Sequence, residues 1–121
     1  MPLQLKQGTD WRLGWNPEAE VFTGLVGTDA WAIELTEAEL EDFCRLIVQI
    51  SETMQQLSSE LMDEERISCE VESERLWLKA EGFPHAFNLR LIVLTGRRAE
   101  AAWTEAAVPD LIQAAQTLKV F

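Results

Sequence analysis

Few residues of this chain have the type and spacing to do chemistry. His85 is its single histidine, so a multi-histidine metal site is excluded. It follows Pro84 in a short turn segment, where a solvated turn residue is the simpler reading than a general base. Cys44 and Cys69 are the only cysteines. Both fall on apolar patterns, Cys44 beside Phe43 and Leu46, Cys69 between Ile67 and Val71. A buried thiol behaves as a small hydrophobe and reacts slowly. Asp63-Glu64-Glu65 clusters carboxylates without the spaced loop that a calcium site uses. Neither standard glycine-rich phosphate loop is present. The expectation is a protein with no catalytic, cofactor-binding or metal site.

A second group of residues has binding potential. Trp77, Lys79 and Arg90 are expected on one outer sheet face, with Arg97 and Arg98 in a following loop. An exposed aromatic with flanking cations can stack and hold single-stranded nucleic acid. The same group can equally be a Trp held by a cross-strand Arg. Charge argues against nucleic acid. The net charge is −11, and a field of that sign repels polyanions and anionic lipid. The charge is uneven: residues 37–65 hold nine acids against one base, Arg45, whereas residues 66–98 hold six bases against four acids. Any nucleic-acid contact would have to use this second stretch.

The elements that would position these residues can be read from periodicity. With 121 residues, one domain is expected, 1–121. Trp11, Leu13 and Trp15 alternate with Arg12, Gly14 and Asn16, and Asn16-Pro17 marks a turn. Runs at Phe22–Val26 and Ala30–Leu35 follow, and a strand near Leu3–Lys6 is weakly signalled. Thr36-Glu37-Ala38-Glu39 has the capping-box spacing and opens a helix expected to reach about Met62. Its apolar residues Leu40, Phe43, Ile47, Ile50, Met54, Leu57 and Leu61 step by three and four, a heptad seam. A helix of roughly 26 residues is about 39 Å long, which makes pairing across a homodimer the favoured use of the seam, alongside packing on its own sheet. Residues 66–103 then read as a four-stranded meander. A turn at Ser73-Glu74 sets Val71 against Leu76, a loop at 82–85 sets Ala80 against Phe87 and Trp77 against Arg90, and a loop at 96–98 sets Val93 against Ala101. Pro109 suits the first turn of a closing helix with Leu111, Ile112, Ala115 and Leu118 inward. The fold class is α+β: an antiparallel β-meander plus helix, about four strands then a helix, made twice, in pseudo-repeat halves of about 1–63 and 64–121.

Three stretches carry a family resemblance: Trp11-Arg12-Leu13-Gly14-Trp15, the junction from Trp31 to Leu40, and Trp103 to Leu111 with Val108-Pro109. With the duplicated layout, they make the chain similar to a small cyanobacterial family of unknown function sharing the Whirly-type single-stranded DNA-binding transcriptional regulator fold. The resemblance implies two four-stranded sheets, helices packed between or beneath them, and a dimer. It implies no activity, and the Lys-Gly-rich strand motif of the Whirly proteins has no counterpart here. The expected function is therefore a non-enzymatic binding or regulatory protein acting through protein–protein contact, as a homodimer or with an unidentified protein partner. Weak single-stranded nucleic-acid binding is the alternative. Few cysteines, no leader-like apolar segment and no run long enough for a membrane span point to the cytoplasm.

Overall fold

The structure, a computed structural model, describes residues 3–60 and 65–118. The chain folds as two four-stranded antiparallel sheets, each followed by a helix. Sheet A is a meander of β1 (Gln4–Gly8), β2 (Trp11–Trp15), β3 (Gly24–Gly27) and β4 (Ala32–Leu35), followed by α1 (Glu37–Glu60). Sheet B is a meander of β5 (Ile67–Glu72), β6 (Leu76–Phe83), β7 (Ala86–Val93) and β8 (Glu100–Trp103), followed by α2 (Val108–Thr117). The weakly signalled first strand is real: β1 pairs with β2 through Gly8↔Trp11 and Gln4↔Trp15.

The capping box forms as the sequence requires. The Thr36 amide donates to Glu39 Oε1 at 2.8 Å, and the Glu39 amide donates to Thr36 Oγ1 at 3.2 Å. α1 packs on β3 and β4 of one sheet and on β5 and β6 of the other, and α2 packs on α1, β2 and β7. As far as Met54 the heptad seam is therefore consumed inside one chain. Leu40, Phe43, Ile47, Ile50 and Met54 are all 0 % exposed, and Leu57 packs partly buried against the same core. Leu61 and the expected helix end at Met62 lie outside the described residues. As far as Met54, side chains of the expected dimer seam are covered by their own chain and have no free surface to give a second copy. A seam of this period suits a partner helix, yet two sheets flanking one helix satisfy the same stripe.

Trp103 closes the core from β8. Its ring lies 5.8 Å from that of Trp31 and 5.9 Å from that of Phe43. Its indole N–H donates to the Gly27 carbonyl of sheet A at 2.8 Å, joining the two halves. The buried indole N–H groups of Trp11 and Trp15 find no such partner among the described residues. Gly24 lets β3 approach α1: a Cβ there would meet Leu40 Cβ at 2.9 Å.

The faces expected for sheet B are correct, but all three registers differ by two residues. Val71 pairs with Leu78, Gly82 with Phe87, and Leu91 with Ala101. A shift of two leaves every side chain on its own face, so the pattern cannot detect it. Side-chain hydrogen bonds decide. The Ser73 hydroxyl accepts from the amides of Arg75 and Leu76, both at 3.1 Å, which moves the first turn to Glu74-Arg75. The second turn tightens to Pro84-His85, with Phe83 opposite Ala86. Gly82 belongs to the strand rather than the loop; its φ is +144°, and a Cβ there would meet the Ala86 carbonyl at 2.7 Å. The third connection lengthens because Thr95 and Arg97 are tied to α1.

Candidate functional site

The outer face of sheet B gathers three of the residues singled out for binding and neutralises them. Trp77 lies opposite Ile92, and Arg90 lies opposite Lys79, so the expected Trp77–Arg90 pair does not form. The Trp77 indole N–H donates to Glu70 Oε1 at 2.7 Å. Lys79 stands 3.8 Å from Glu81, which also faces Arg66 at 3.7 Å, and Arg90 pairs with Glu100 at 3.0 Å. Glu70, Glu72, Glu81 and Glu100 share this face with Lys79 and Arg90, so its balance is acidic. Such a surface lacks the cationic groove that tracks a phosphate backbone.

Arg97 is used elsewhere. It donates to Glu39 Oε1 at 2.7 Å and to the Glu34 carbonyl at 3.1 Å, and its guanidinium carbon lies 4.8 Å from the Phe22 ring centroid. Arg98 is exposed in a left-handed turn position, φ +49°, with no ion pair among the described residues. Of the five residues, it alone offers an uncommitted charge.

Two acids in the first turns of α1 receive these loops, and nothing in the sequence marked them as more than helix-start residues. Glu39, 2 % exposed, accepts from Arg97, from its own capping partner Thr36 and from the Thr95 hydroxyl at 2.7 Å. Asp42, 8 % exposed, accepts from Ser73 Oγ at 2.7 Å, from Arg75 at 3.3 Å and from Arg45 at 3.4 Å. Burial alone would raise both carboxyl pKa values. For Glu39 the bonds from Arg97, Thr36 and Thr95 outweigh it, and for Asp42 those from Ser73, Arg75 and Arg45 do, so both lie below the ordinary value. These bonds latch two sheet B loops to α1. Because the folded pKa values are depressed, the stabilisation is complete above the unfolded carboxylate range and is lost as pH falls through the folded values. Glu39→Gln is expected to cost about 1–3 kcal/mol at neutral pH. In urea titrations at several pH values, the gap between wild type and variant should narrow below about pH 4.

The concave surfaces come next. A cleft of about 520 Å³ opens between α1, α2 and the β6–β7 turn. Its floor includes Phe87, Val108 and Ile112, and its rim includes Ser51, Gln55 and Gln113. His85 stands exposed at this cleft, its ring 6.4 Å from that of Phe83, with no hydrogen bond to Ser51, Ser58 or Glu105. Neither cysteine joins it. Burial pushes the Cys44 thiol up to about 12, and burial together with the Glu70 charge raises Cys69. Both remain thiols at neutral pH, and a thiol is a poor nucleophile.

The outer face of sheet A carries a feature of another kind. The pairings Leu5↔Gly14, Lys6↔Leu13 and Gln4↔Trp15 put β1 out of phase with its neighbours: Leu5 faces outward, while Gln4 and Lys6 share the inner face with Leu13 and Trp15. The two-residue turn at Thr9-Asp10, with Asp10 at φ +63°, fixes this register. Leu3, Leu5, Phe22 and Leu25 line an outward groove of about 290 Å³, with Ala19 and Glu34 at its sides. Leu3, Leu5 and Val21 are 63 %, 52 % and 59 % exposed, the large exposed hydrophobics among the described residues. Val21 stands on the β2–β3 loop that also supplies Ala19 and Phe22. Glu18 and Glu20, both exposed, flank Ala19 on that loop. The alternation of Leu3 and Leu5 was visible in the sequence, but only the pairing shows that it points outward.

Among the described residues no helix is long and apolar enough to cross a membrane. No curated protein matches the chain. The chain is similar to a crystal structure of a protein of unknown function from Prochlorococcus sp. NATL2A, described as from the DUF155 family. The two are 26% identical with a TM-score of 0.89 over 96% of this chain and 98% of that one. The architecture above is therefore shared with a solved protein almost end to end. A family profile matches residues 6–118, from β1 through α2, and the chain thus belongs to the family described as Domain of unknown function (DUF1818).

Proposed function

We propose that this chain is a non-enzymatic, cytoplasmic binding protein that acts by protein–protein contact through the outer face of sheet A. The observation that carries the proposal is the reversed phase of β1. A strand next to Trp11, Leu13 and Trp15 would ordinarily turn its leucines to the core. Here the hairpin register turns Leu5 to solvent beside Leu25 and Phe22. Clustered exposed apolar side chains with a polar rim mark interaction surfaces in soluble proteins. A homodimer through this same face is part of the proposal, since the α1 seam is covered as far as Met54. The test is affinity capture from the native cytoplasm with wild-type and Leu5→Asp baits, together with the solution mass of each. A partner or self-association seen with wild type and lost with Leu5→Asp is the expected result. Equal capture and equal mass for the two baits would reject the surface.

The second reading follows from the resemblance read in the sequence: single-stranded nucleic acid on sheet B. It is favoured by the adjacency of Trp77, Lys79 and Arg90 and opposed by the carboxylates beside each. Labelled single-stranded DNA is expected to show no binding at physiological salt. Salt-sensitive binding abolished by Trp77→Ala/Arg90→Ala would establish this reading instead.

A further inference from the structure

The cleft between α1, α2 and the β6–β7 turn differs chemically from the rest of this surface. The chain carries 21 acids, yet among the described residues the only ionisable ones lining the cleft are His85 and Glu105. Its polar lining is otherwise neutral: the amides of Gln55, Gln113 and Gln116 and the hydroxyls of Ser51 and Ser58. The Ser58 hydroxyl already donates to the Gln55 carbonyl at 2.6 Å, so it is left as an acceptor. The opposite lining is apolar, with buried Pro84, Phe87 and Val108 and half-buried Ile112. At about 520 Å³ the cleft falls within the range that holds small organic ligands.

From this lining we propose that the cleft is a binding site for a nucleoside without a phosphate. A carboxamide presents a donor and an acceptor side by side, which matches the paired donor and acceptor on a nucleobase edge; glutamine reads adenine in this way in nucleic-acid complexes. The apolar floor suits the face of the base, and the serines suit the sugar hydroxyls. Among the described residues no Lys or Arg lines the cleft, so none of them offsets the charge of a phosphate, which Glu105 and the net charge of −11 both repel. The site is separate from the sheet A face and stands or falls independently of it.

The test is amide-resolved NMR of the whole chain titrated to millimolar concentration with adenosine, guanosine, cytidine and uridine, each against its 5′-monophosphate. At least one nucleoside should shift resonances of residues 51–58, 84–87 and 105–116, with its monophosphate at least roughly tenfold weaker. Gln55→Leu should weaken that nucleoside at least roughly tenfold. Ile112→Trp, which fills the floor, should abolish it while the remaining spectrum stays that of folded protein. If Ile112→Trp does not fold, Gln55→Leu decides. The proposal is overturned if none of the four nucleosides shifts the cleft, if the monophosphates bind as tightly, or if Gln55→Leu binds as wild type does.

Discussion

Ile50→Glu is expected to leave no cooperatively folded protein at neutral pH. Ile50 is 0 % exposed, on the α1 face between the two sheets. The change removes about 1.5–3 kcal/mol of apolar burial. It also puts a carboxyl on the apolar stripe that Ile50 shares with Phe43, Ile47 and Met54, all 0 % exposed. Burying an unpaired charge costs several kcal/mol more. Total stability for such a domain is about 5–15 kcal/mol, so these losses together exhaust a typical margin. Circular dichroism and a thermal melt report it directly. Ile50→Ala is the graded companion, with an expected loss of about 2–5 kcal/mol. Were the seam an exposed dimer surface, Ile50→Glu would instead yield a folded monomer with an unchanged spectrum.

Trp103→Ala should have the next largest effect, about 3–5 kcal/mol. At about 4 °C per kcal/mol for a domain of this size, the melting midpoint should fall by roughly 12–20 °C. Two losses combine. The ring contacts to Trp31 and Phe43 go, leaving a cavity where the halves meet. The Gly27 carbonyl also loses the indole donor that reaches it from the other sheet. Trp103→Phe helps separate the two, because it removes the donor while keeping most of the ring packing; about 1–3 kcal/mol is expected. An equal loss in both variants would mean that the hydrogen bond, rather than the packing, joins the halves.

The two effects also show what could be read from the sequence. Faces were legible because period two decides which side chains point inward, and Ile67 through Val93 keep that period with few breaks. Registers were not, because a two-residue shift preserves every face. The local bonds at Ser73 are joined by bonds from far along the chain, the Ser73 hydroxyl donating to Asp42 and the Thr95 hydroxyl to Glu39. The heptad stripe of α1 was legible as apolar. What covers it was not, since a second helix and a pair of sheets bury the same stripe. Arg97 looked like a free loop cation until the Glu39 carboxylate, fixed by its own helix cap, was brought against it. The sheet A groove was hidden for the opposite reason: Leu3 and Leu5 look like ordinary core positions until the Gly8↔Trp11 pairing turns them outward.

As far as Met54 the α1 seam belongs to the interior of one chain, and the proposed protein–protein contact falls to the outer face of sheet A. Equilibrium urea unfolding of wild type, Ile50→Ala and Leu5→Asp at about 1 and 100 µM protein tests it most directly, because only an oligomer's midpoint depends on concentration. Ile50→Ala is predicted to lower the midpoint equally at both concentrations, and any concentration dependence of the wild type is predicted to disappear in Leu5→Asp alone. A concentration dependence that Ile50→Ala abolishes and Leu5→Asp leaves intact would contradict the account.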